Sequence, residues 1–170
     1  MKNFTTQKEF FQKLDIEKYR EFEGNLCWII NIFLVLKELG SEVSEQEIFD
    51  RALKINAFDV VLWWKHEKLM LIFSYFCSKE EIPYRSAEVF DWKFLHNRKM
   101  KKIFFNFDKH IYIASIKLDE NHLVIIDNIE YNNVYYSSVW TKKFEPVENK
   151  IIKMDDFFDV YNKRGILIKL

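Results

Sequence analysis

Residues 110–128 read HIYIASIKLDENHLVIIDN, and this stretch decides the fold class. Ile111, Ile113, Ser115 and Lys117 alternate with Tyr112, Ala114, Ile116 and Leu118. That period of two belongs to a β-strand, where successive side chains leave opposite faces. Asp119-Glu120-Asn121 supplies turn residues, and His122 to Ile126 returns as the partner strand. Further strands are predicted at Ile103 to Phe107, at Val134 to Trp140 and at Gly165 to Leu170, with a short helix over Asp155 to Tyr161.

Toward the N-terminus the period changes. Residues 26–40 read LCWIINIFLVLKELG, apolar nearly all round from Cys27 to Leu39, with Gly40 where a helix C-cap glycine belongs. A helix of that kind is usually buried at a domain centre. Thr6 and Glu9 form a capping-box pattern before a short helix over Gln7 to Leu14. Ser44 and Glu47 repeat the pattern before a helix reaching Leu53. Asp59 can cap another helix through Trp63, Trp64, Phe73 and Tyr75 to Phe76, Pro83 marks a loop, and Glu88 to Met100 has a weaker helical pattern. Helices come first and an antiparallel sheet follows, with no βαβ alternation, which predicts an α+β fold. Without a repeat or a composition break, residues 1–170 read as a single domain, with a helical half at about 1–100 and a sheet half at about 101–170.

Composition narrows the function classes. A chain of 170 residues that is 49% hydrophobic can bury a core without disulfides or metal. Only 3 Gly and 2 Pro are present, and no glycine-rich phosphate loop occurs. Lys plus Arg and Asp plus Glu balance at 26 each, so no global field draws the chain to nucleic acid. The basic run Asn97 to Lys102 reads as a solvated helix end rather than a phosphate site. The longest apolar run, Leu26 to Leu36, is about half of a membrane span. Met1 to Phe11 lacks a signal-sequence pattern, and the two cysteines suit a reducing cytoplasm. No metal-ligand spacing appears, so neither a metal nor another cofactor is expected.

The residues with the most chemical interest are Cys27, His110 and Asp127. Cys27 opens the buried helix, where unpaired N–H groups and the helix dipole favour a thiolate and can stabilise an oxyanion. Most buried cysteines are inert core, so position alone does not make a nucleophile. His110 stands at a strand start, and the hairpin carries Asp127 and Asn128 back toward it. Either could hold one imidazole nitrogen while the other faces a thiol. A turn centred on Asp119 to Asn121 places residues 130 or 131 directly opposite His110, so a contact with Asp127 would be diagonal. Tyr131, Tyr135, Tyr136 and Trp140 offer a surface for a substrate or a protein partner.

This order of Cys, His and Asp resembles the papain-like thiol hydrolases. Asn25-Leu26-Cys27-Trp28, then Leu36-Lys37-Glu38-Leu39-Gly40 and Val43-Ser44-Glu45, is similar to the cysteine helix and following step of two bacterial branches. These are the bacteriocin-leader-processing peptidases and the N-terminal domain of the butirosin-pathway acyltransferase. His110-Ile111-Tyr112-Ile113-Ala114 and Val124-Ile125-Ile126-Asp127-Asn128 resemble their catalytic hairpin, and Met154-Asp155-Asp156-Phe157-Phe158 their last helix. The resemblance spans most of the chain. It implies N-terminal helices packed on a C-terminal antiparallel sheet, a Cys27-His110-Asp127 triad, and a peptide or acyl-carrier substrate.

The chain departs from that pattern in three places. The Gln that serves the family as oxyanion donor is absent from Tyr19-Arg20-Glu21-Phe22-Glu23. Asn25 is the nearest substitute, and it can equally be an N-cap. Lys109 precedes His110, and Asn128 stands where Pro often follows the Asp. Losing one oxyanion donor costs about 100- to 1000-fold in rate, so the same residues also fit an inactive papain-fold scaffold.

Overall fold

Ser44 shows how local sequence sets an element. Its hydroxyl accepts the Glu47 backbone N–H (3.3 Å), and the Glu47 carboxylate accepts the Ser44 backbone N–H (3.0 Å). Two orphan donors of a helix start are met reciprocally, and a helix runs from Glu45–Lys54. The computed structural model describes residues 7–14, 22, 26–59, 63–90, 106–117, 121–138 and 147–170. They fall into two compact units, one drawn from the chain up to Pro83 and one from the stretch between Tyr84 and Leu170.

The first unit is helical: α1 (Gln7–Gln12), α2 (Cys27–Glu38), α3 (Glu45–Lys54) and α4 (His66–Lys79). Every residue of α2 from Cys27 to Leu36 is buried, as its all-round apolarity demands. Phe10 of α1 packs edge-on to Phe33 of α2, with ring centroids 5.3 Å apart. α2 ends at Leu39, and Gly40 follows with φ +90, the left-handed region where a Cβ is disfavoured. Between α3 and α4, β1 (Phe58–Asp59) pairs antiparallel with β2 (Trp63–Trp64). This corrects the helix expected to start at Asp59. The aromatic run has strand propensity, and the helix starts only at His66.

The second unit is a six-stranded sheet of order β3-β8-β4-β5-β6-β7, with every neighbouring pair antiparallel. Its elements are β3 (Ser86–Phe90), β4 (His110–Lys117), β5 (Asn121–Glu130), β6 (Asn133–Ser138), β7 (Val147–Lys153), α5 (Met154–Val160) and β8 (Tyr161–Lys169). The fold is therefore α+β. Met154 and Phe157 of α5 join Tyr112, Ala114, Ile116, Val124, Ile126, Val134 and Tyr136 in one apolar cluster on one face of the sheet. The alternate residues Ile113, Leu123, Ile125, Ile166 and Ile168 are also buried. Burial on both faces explains why β5 reads as a nearly continuous apolar run.

Two strands differ from expectation. Residues 88–90 lie in β3, paired with β8, rather than in a helix, and β7 was hidden by its mixed sequence VENKIIK. Phe107, the last residue of the strand expected over Ile103 to Phe107, lies in a turn. Residues 91–105, with the basic run and the rest of both expected elements, lie outside the described residues, as does Thr6.

Candidate active site

Cys27 is the first residue of α2 and is 4% exposed. The residue before it, Leu26, gives no side-chain cap. The first-turn N–H groups of a helix carry partial positive charge. Asn31, fully buried, turns back along the helix and donates from Nδ2 to the Cys27 carbonyl oxygen at 2.6 Å. Its role is invisible in sequence, where Asn31 only interrupts an apolar run. Asn25, the expected oxyanion donor, lies outside the described residues.

His110 opens β4, and its Nδ1 lies 2.9 Å from the Tyr112 hydroxyl. Residues i and i+2 of a strand share a face, which makes this contact possible. The Tyr112 oxygen also accepts the Asn106 backbone N–H at 3.2 Å. Burial raises the Tyr112 phenol above its ordinary value, against a smaller lowering by the Asn106 N–H. The hydroxyl therefore stays neutral at physiological pH and fixes the ring without supplying charge.

Asp127 is held elsewhere. Its Oδ2 accepts the Ser137 hydroxyl at 2.6 Å. The register of β5 on β6 shifts between Ile126 and Asn128, so Asp127 is the extra residue of a bulge. Ser137 pairs with Ile125, which pairs with Ile113. Tyr112 pairs with Ile126, which pairs with Tyr136, in the apolar cluster under α5. The partners of His110 and Asp127 thus lie on opposite faces of the sheet. The β4–β5 register corrects the sequence reading. Tyr112 faces Ile126 and Lys117 faces Asn121, a tighter register than one that sets residues 130 or 131 opposite His110, and the paired stretch ends at Tyr112. His110 Nδ1 thus meets Tyr112, and Asp127 meets Ser137. Asn128 is also committed locally: Oδ1 accepts the Ile129 N–H and Nδ2 donates to Glu130, each at 2.8 Å.

Cys77 supplies a reference thiol in the last turn of α4. It is buried, and burial pushes it up to about 11, with the Glu80 carboxylate adding to the effect. Trp28, beside Cys27, packs edge-on to the buried His66 ring with centroids 4.9 Å apart. Among the described residues no three His, Cys, Asp or Glu side chains gather as a metal site, and no helix is long and apolar enough to cross a membrane.

No family model matches this chain, and no curated protein matches it.

Proposed function

We propose that the chain is a papain-like thiol hydrolase or acyl transferase acting on a peptide or acyl carbonyl. The observation that carries this reading is Cys27 at the first position of a buried helix whose N-cap residue, Leu26, supplies no side-chain cap. Cys27 Sγ bonds to the carbonyl carbon while His110 takes the thiol proton. His110 returns that proton to the leaving group as the carbon–heteroatom bond breaks. The resulting thioester passes its acyl group to water or to an amine. His110 Nδ1–H donates to Tyr112 in this scheme, and Nε2 exchanges the proton with the thiol. A neutral phenol stabilises an imidazolium less than a carboxylate does, so the reaction is expected to be slow for its class.

The test is alkylation of the whole chain with iodoacetamide near neutral pH, read at each cysteine by peptide mass spectrometry. Cys27 is expected to react faster than Cys77, and a His110→Ala variant to slow Cys27 alone. Equal rates at the two thiols would count against the enzyme reading.

A second reading, an inactive papain-fold scaffold that binds a protein partner, is favoured by the commitment of Asp127 to Ser137. It is consistent with the missing Gln before Cys27. Under that reading a Cys27→Ala variant keeps full activity in cells, and loss of activity excludes it.

A further inference from the structure

A groove of about 240 Å³ runs along α3 and α4 in the helical unit, and Cys27 is not among the residues that line it. Glu47, Asp50, Arg51 and Lys54 line it from α3, and Tyr75 and Lys79 from α4. Its carboxylates are already engaged. Glu47 accepts Lys79 Nζ at 3.1 Å together with the Ser44 N–H, and is held down at about 2, so it is charged at any physiological pH. Asp50 accepts Gln46 Nε2 at 2.9 Å.

The cations differ. The Arg51 guanidinium lies flat over the Tyr75 ring, 4.0 Å from its centroid. Arg51 Nε is shut off from solvent with no hydrogen-bond acceptor among the described residues. Arg51 and Lys54 also sit in the last turn of α3, where cations offset the helix dipole. That role does not require the stack on Tyr75. Stacking presents the planar fork at a fixed angle, the arrangement suited to bidentate oxyanions. Tyr75 itself is 41% exposed and leaves aromatic surface at the groove.

We infer that this groove binds an oxyanion carried on a flat apolar group: the anion on Arg51 and Lys54, the flat group against Tyr75. Carboxylates and phosphate monoesters share this chemistry. The proposal is independent of the thiol chemistry, and its test does not use Cys27.

The test is an NMR titration of the full chain with phenyl phosphate, benzoate, inorganic phosphate and benzyl alcohol, following amides of α3 and α4. Saturable shifts are expected with phenyl phosphate or benzoate, and which of the two binds tighter separates the sources of the anion. Inorganic phosphate and benzyl alcohol are each expected to bind about tenfold more weakly, since each lacks one half of the ligand. Arg51→Gln should weaken the preferred anion about tenfold, and Lys54→Gln severalfold, in folded variants. Lys54 is exposed, so its variant keeps the test valid if Arg51→Gln does not fold. Absence of saturable shifts with both aromatic anions, or unchanged affinity in both variants, would overturn the inference. Equal binding of benzyl alcohol would overturn the anion assignment.

Discussion

Cys27 and Cys77 are the same residue in nearly the same burial, at opposite ends of two helices of one unit. Cys27 opens α2 and is 4% exposed; Cys77 lies in the last turn of α4 and is 1% exposed. At the α2 start the N-cap residue Leu26 gives no side-chain cap. At the α4 end the Glu80 carboxylate adds to the raising of the Cys77 thiol. Burial pushes the Cys77 thiol up, and a helix start favours a thiolate where a helix end does not. Burial alone therefore does not rank two cysteines for reactivity.

The largest expected effect is on pH dependence. With its thiol pushed up to about 11, Cys77 is almost wholly protonated at neutral pH. Its alkylation rate should rise roughly tenfold per pH unit, about a thousandfold from pH 7 to pH 10. Cys27 should rise far less over the same range, and parallel profiles would erase the contrast. Next in size is His110→Ala, expected to slow Cys27 about 100-fold while leaving Cys77 unchanged as an internal control. Tyr112→Phe keeps the ring and removes the hydroxyl that holds His110, so a loss of about tenfold at Cys27 is expected. Asp127→Asn is expected to do less than Tyr112→Phe, because Asp127 bonds Ser137. The reverse order would restore Asp127 as the residue that orients His110. Smallest is Gly40→Ala at the far end of α2. No atom lies within 4 Å of a Cβ there, so the cost is backbone strain at φ +90, about 1 kcal/mol in chemical denaturation. The ratio of labelling rates should not move, because that change leaves the helix start intact.

Strong local signals made much of the fold legible. The Ser44–Glu47 box, the all-apolar α2 with Gly40 behind it, and the alternation of Ile111 to Lys117 each appear where their physics places them. Residues 58–64 misled because an aromatic run suits a buried helix and a strand alike, and only pairing separates them. β7 stayed hidden because the edge strand VENKIIK carries Ile151, 61% exposed, and no clear alternation.

The site was legible only in part. Cys27 at a helix start and His110 at a strand start follow from local pattern. The Tyr112–His110 bond was also within reach, since i and i+2 of a strand share a face. The engagement of Asp127 by Ser137 was not, because it depends on a bulge between Ile126 and Asn128 that no residue type announces.

The most direct measurement is the ultraviolet thiolate absorbance of a Cys77→Ser variant, in which Cys27 is the only thiol. A thiolate signal is expected at neutral pH, and its loss in the Cys77→Ser, His110→Ala double variant. A thiol silent at neutral pH, or a signal indifferent to His110, would contradict this expectation.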